Sequence, residues 1–220
     1  MEIKTHHIAT PKTARYTAYG ELSLKTKYFW FVLHGSNMLS EQMLYKFKDF
    51  DPETHFVIAP EGLSRFYVNG FGGEVVASWM TKRDRLEEIH DFSVYCSTLY
   101  DTCVQKLPEC CKTIIMGFSQ GGVTAMRWLH HFDVTVDFLI PYACWIPEDI
   151  DYLTAKTDWN KICKIFTYGA EDQFLNEKKI IEIQEICKAG NLDFHNEIYA
   201  GDHRVDKKQL KKIFKQYIEH

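Results

Sequence analysis

Apolar and polar positions along this chain fall into blocks whose period changes from one block to the next. Short runs dense in β-branched and aromatic residues, YFWFVL, HFVIAP, TIIMGF, DFLIPYA, KIFTYG and DFHNEIY, predict strands, and the first ones are too continuously apolar to leave a solvent face. Between them the period lengthens. Met43, Leu44, Phe47 and Phe50 recur at helical spacing in MLSEQMLYKFKDF, giving the crossover between two buried parallel strands. A second helix is predicted over about residues 84–107, entered through Thr81-x-x-Asp84 and stopped by Pro108. VTAMRWLHHF, EKKIIEIQEICK closed by Gly190, and a C-terminal helix with the stripe Leu210, Ile213, Phe214, Tyr217 and Ile218 complete the set. Strand and helix in alternation predict an α/β fold with a mostly parallel sheet and helices on both faces. At the start, EIKTHHI and RYTAYGEL, separated by the turn-like TPK, read as an antiparallel pair at the sheet edge.

No internal repeat, low-complexity tract or linker interrupts this order, so residues 1–220 read as a single domain. Composition agrees: 45% of residues are hydrophobic, enough for a substantial core. The formal net charge of -4 gives no general attraction to nucleic acid or an anionic membrane. Lysines bunch in DKKQLKKIFKQYIEH, where they read as the solvated face of the last helix. No apolar run reaches the length of a membrane span; the longest, FLIPYACWI, is interrupted by proline. Seven cysteines without regular spacing, and an N-terminus lacking the apolar core of a signal peptide, predict a reducing, cytoplasmic setting.

The chemistry is concentrated in TIIMGFSQGG, where an apolar strand becomes Gly-x-Ser-x-Gly and opens directly into a helix. A tight strand-to-helix turn lifts the hydroxyl of Ser119 clear of the sheet and aims it over the positive end of the following helix. Two later segments, TYGAEDQF and YAGDHRVD, put an acid and a histidine just past strand-like runs. The resulting chain order is Ser119, Asp172, His203, that of an α/β-hydrolase nucleophile elbow followed by its acid and base. Glu171 follows the same strand as Asp172, and Asp202 adjoins the histidine, so both compete for the acid role. His6, His7, His130, His131 and His220 lack such a setting and read as surface groups, and no metal-ligand spacing accompanies them. His34 precedes Gly35 after a buried strand, where its role is to shape the adjoining loop.

LHGSN, VIAPEG, Ser78-Trp79, GFSQGG, the Gly-x-x-Asp of GAED and the Gly-x-His of GDH together resemble the phospholipase/carboxylesterase family of α/β-hydrolases. That group includes acyl-protein thioesterases and small bacterial serine esterases. The likeness runs over most of the chain. It implies an α/β-hydrolase fold with no large cap domain, favours Asp172 as the acid, and makes the backbone N–H groups of Ser36 and Gln120 the oxyanion donors. The chain departs from the pattern at Ser36-Asn37-Met38, where family thioesterases carry a Leu-Gly-Asp type sequence, and over residues 61–82.

The expected reaction is acyl transfer from a small-molecule carboxylic ester to water, with no cofactor and no metal. Residues 61–82, rich in aromatics and glycine, read as a long connection folded over the catalytic edge. Phe66, Tyr67, Phe71 and Trp79 within it, with Trp145, are expected to wall the acyl pocket. Carboxylesterase or lysophospholipase-like hydrolysis leads. Acyl-protein thioesterase activity and a catalytically idle fold that binds a ligand or protein are the alternatives.

Overall fold

The computed structural model describes residues 2–220. Seven strands form the main sheet: β1 (Tyr16–Tyr19), β2 (Tyr28–Leu33), β3 (His55–Pro60), β6 (Lys112–Phe118), β7 (Phe138–Tyr142), β8 (Cys163–Gly169) and β9 (Phe194–Tyr199). Their spatial order is β1-β3-β2-β6-β7-β8-β9, parallel throughout except where β1 runs antiparallel to β3. All parallel strands therefore end on one edge, where the loops that carry chemistry in such sheets collect.

Alternation along the strands divides the core in two. Phe29, Phe31 and Leu33 of β2 face one layer, with α2 (Arg85–Val104), α3 (Gln120–His131) and α4 (Glu177–Ala189); Trp30 and Val32 face the other. That second layer holds α1 (Ser40–Leu44) and α5 (Lys207–Ile213). The C-terminal stripe is as expected, with Leu210, Ile213, Phe214 and Ile218 buried, and α5 passes into a π-helical turn over Phe214–Ile218.

Four elements differ from the sequence expectation. EIKTHHI forms no strand: residues 2–9 are exposed, and the outer edge of β1, where the segment was expected to pair, stays free. The first helix stops at Leu44, although its apolar side, Met43, Phe47 and Phe50, is buried through the turns that follow. Thr81 does not cap α2 in the expected way. Its amide and hydroxyl instead donate to the Glu88 carboxylate at 2.5 and 3.1 Å, while Asp84 begins the helix at a φ of 50°. Residues 61–82 are not an irregular loop but contain a hairpin, β4 (Ser64–Tyr67) and β5 (Val75–Ser78), with Phe66 opposite Val76. Its tip turns through Gly70 and Gly72, at φ 76° and 87°, with the Gly73 amide donating to the Gly70 carbonyl at 3.1 Å.

Candidate active site

Ser119 occupies the turn between β6 and α3 with φ 51° and ψ -121°, a backbone region costly for a residue with a side chain. Close packing holds it there. A Cβ at Gly121 would stand 2.3 Å from the Leu33 carbonyl oxygen, and one at Gly117 would stand 2.3 Å from that of Gly121. Only glycine lets the first turn of α3 lie against the end of β2. The Ser119 amide donates to the Tyr142 carbonyl at 2.9 Å, tying the turn to β7 as well.

Asp172 and His203 approach from the two loops beyond β8 and β9. These loops are stitched by backbone bonds, Ala170 to Tyr199 at 2.8 Å and Glu171 to Gly201 at 2.9 Å. His203 Nδ1 lies 2.7 Å from Asp172 Oδ2, and the Phe174 amide donates to Oδ1 of the same carboxylate at 2.9 Å. With Nδ1–H donating to the acid, neutral imidazole has its Nε2 lone pair free to accept a proton. The ring is held by Phe118 and Phe174, at centroid distances of 4.9 and 4.7 Å. Phe118 immediately precedes Ser119, so its contact joins the serine turn to the histidine loop. The rival acids stand elsewhere: Glu171 is exposed, and Asp202 pairs with Arg204 at 3.1 Å.

The loop after β2 is built on His34, which is fully buried. Its Nδ1–H donates to the Gly35 carbonyl at 2.7 Å and its Nε2 accepts the Gly62 amide at 2.9 Å. Burial depresses its pKa below the usual histidine value, so the ring stays neutral, as this pair of bonds requires. Asn37 turns the chain at φ 59° and donates to Ala77 at 3.0 Å, and Ala77 returns a bond to Met38 at 3.0 Å. Among the described residues, neither the Ser36 nor the Gln120 amide has an internal acceptor.

The Gln120 side chain has a task that sequence reasoning missed. Its Oε1 accepts the Ser78 hydroxyl at 3.1 Å and the Trp79 amide at 3.0 Å, and its Nε2 donates to the Met80 carbonyl at 2.8 Å. Three bonds thus fasten the chain leaving β5 to the first turn of α3. Spacing cannot reveal such a clamp, because its partners lie about forty residues away. Phe174 was also missed, although its place two residues after the acid was a signal.

The five expected pocket residues separate. Phe66 and Tyr67 are half-exposed on β4, at 43 and 49%. Phe71 stands at the hairpin tip, fully exposed at 103%, and touches little beyond the Tyr67 ring at 6.5 Å. Trp79 corrects the expectation of an acyl wall: it is 1% exposed, packs edge-on to Phe92, and donates its Nε1–H to the His34 carbonyl at 2.8 Å. It is part of the scaffold beneath the loop that carries Ser36. Trp145 is half-buried under the Lys179 ammonium, 4.2 Å from the ring centroid. His7, read as an isolated surface group, makes an exposed contact with Asp84 at 3.1 Å. No helix among the described residues is long and apolar enough to cross a membrane.

Solved structures of similar fold include esterase PE8, at 18% identity with a TM-score of 0.67, covering 94% of this chain and 99% of that one. The acyl-protein thioesterase 2 of Zea mays is 16% identical with a TM-score of 0.68, covering 92% of this chain and 97% of its own. The Bacillus cereus carboxylesterase is 12% identical with a TM-score of 0.67, covering 94% of each. Curated proteins give no match. Residues 34–220 match the phospholipase/carboxylesterase family, a span that takes in the His34 loop, the serine turn and both later loops. The chain therefore belongs to the phospholipase/carboxylesterase family of α/β-hydrolases.

Proposed function

We propose that this chain is a serine carboxylic ester hydrolase, of carboxylesterase or lysophospholipase-like type, acting through Ser119, His203 and Asp172. The observation that carries the reading is the 2.7 Å contact of His203 Nδ1 with Asp172 Oδ2 on a ring packed against Phe118, the residue before the strained serine. His203 Nε2 takes the Ser119 proton as the hydroxyl attacks the ester carbonyl. Asp172 holds the imidazole in the required tautomer and stabilises the imidazolium. The Ser36 and Gln120 amides donate hydrogen bonds to the developing oxyanion, each donor contributing about 3 kcal/mol in sites of this kind. His203 then protonates the leaving alcohol, and water releases the acid from the acyl-enzyme. The free state of all seven cysteines supports a reducing compartment.

Hydrolysis of p-nitrophenyl butyrate by purified wild type and Ser119→Ala tests this reading. Turnover by the wild type that disappears in the variant is the expected result, and equal turnover by both rejects the assignment.

A further inference from the structure

Phe174 touches both members of the acid–base pair. Its amide donates to Asp172 Oδ1 at 2.9 Å, and its ring stands edge-on to the His203 imidazole, with centroids 4.7 Å apart and planes at 70°. The segment that presents it is a closed turn. The Leu175 amide donates to the Asp172 carbonyl at 3.2 Å, and both of these residues are buried, Leu175 in the core layer that holds α4. Phe174, between them, is 60% exposed.

The other ring against the base differs. Phe118 is 7% exposed and packs edge-on to Tyr142 of β7 at 6.3 Å, so its surface is used up in the core. Trp145, on the loop after β7, has one face covered by the Lys179 ammonium. An aromatic ring that turns most of its apolar surface to water gains little stability from it, yet this one is held still beside the proposed base. His203 fixes which part of a substrate meets that surface. Because Nδ1 is taken by Asp172, Nε2 delivers the proton, and the leaving oxygen must come within about 3 Å of it. The alcohol carbons behind that oxygen therefore begin at the rim of the imidazole, where Phe174 supplies exposed apolar surface.

We propose that Phe174 forms the leaving-group wall of the site, so that the preferred esters carry a bulky apolar alcohol, an aromatic one above all. The inference rests on the hydrolase reading above and adds the substrate class on the alcohol side. It sets carboxylesterase action above the lysophospholipase-like kind, whose leaving alcohol bears a polar head group. The probes are ethyl butyrate and benzyl butyrate, which share the acyl group, each rate being divided by that of alkaline hydrolysis of the same ester. Wild type should favour the benzyl ester by about tenfold in kcat/KM, the gain expected from covering part of one exposed aromatic ring. Phe174→Ala should bring that ratio close to one, and Phe174→Leu should keep an intermediate part of it. The ratio of benzyl octanoate to benzyl acetate should be the same in Phe174→Ala as in wild type. A wild-type benzyl-to-ethyl ratio near one would overturn the wall. So would a loss in Phe174→Ala shared equally by both butyrates, which would reduce the ring to a prop for His203, or a change in the octanoate-to-acetate ratio, which would put the ring on the acyl side. Absence of wild-type turnover on all of these esters and on p-nitrophenyl butyrate would instead reject the hydrolase reading itself.

Discussion

Around Ser119 the backbone is constrained from every side, by the Leu33 carbonyl against Gly121, by the Tyr142 carbonyl on its amide, and by Phe118 wedged against His203. At the tip of the β4–β5 hairpin, Phe71 is fully exposed and a Cβ added at Gly70 or Gly72 would meet nothing within 4 Å. The root of that hairpin is nonetheless fastened to the serine turn through Gln120 and to the Ser36 loop through Ala77. One segment thus combines a rigid base with a free tip. The contrast teaches that aromatic content does not identify a binding wall. Trp79 and Phe71 lie eight positions apart in one segment, yet the first is scaffold and the second meets solvent.

The largest effects should come from the constrained region. Ser119→Ala and His203→Ala should each lower kcat for an activated ester by on the order of 10⁴ or more, with the circular dichroism spectrum unchanged. Asp172→Asn should cost on the order of 10³ to 10⁴, because it favours the wrong histidine tautomer. Glu171→Gln should stay near wild type, and the opposite ranking would move the acid by one residue.

Stability should divide the hairpin in the same way. Removing the Trp79 side chain leaves a cavity beside Phe92 and orphans the His34 carbonyl, so Trp79→Ala should destabilise by about 3–5 kcal/mol in urea unfolding. Phe71→Ala should change stability by less than about 0.5 kcal/mol. Equal losses would erase the distinction between base and tip.

A smaller, pH-dependent effect follows from His34. Its folded pKa is depressed, so as pH falls below the unfolded value of 6.5 the unfolded chain takes up the proton first. The stabilisation from keeping His34 neutral is therefore complete above that value and is lost toward the folded pKa. Measured against His34→Asn, wild-type stability should decline on acidification from pH 7 to pH 5. A flat difference would mean that the ring is not held neutral.

The smallest effect concerns acyl length. If Phe66 or Tyr67 contacts the acyl chain, their replacement by Ala should lower kcat/KM for octanoate more than for acetate, by at most about 0.8 kcal/mol per methylene in contact. A wild-type optimum at palmitate would instead favour the thioesterase alternative.

What was legible in the sequence follows the same division. The preference for Asp172 over Glu171 came from the family resemblance, while the succession of strands along the chain, their mostly parallel sheet and the turn at Ser119 were readable, because strand-ending positions and glycines record backbone geometry directly. The missing N-terminal strand was not. Its alternation resembles an edge strand, yet the segment is exposed throughout and buries no apolar face against β1. The hairpin of residues 64–78 was hidden by its aromatic content and by the seven-residue connection between its strands, which is longer than the tight turns that sequence pattern reveals. The Gln120 clamp and the burial of Trp79 depend on contacts between distant segments, which no local pattern encodes.

The central claim is that the strained serine at the β6–α3 turn is the nucleophile, and covalent labelling tests it most directly. The purified chain should be treated with a fluorophosphonate probe and the adduct mapped by peptide mass spectrometry. The account predicts a single adduct on Ser119, abolished in Ser119→Ala and greatly slowed in His203→Ala. An adduct on another residue, or no adduct on correctly folded wild-type protein, would contradict it.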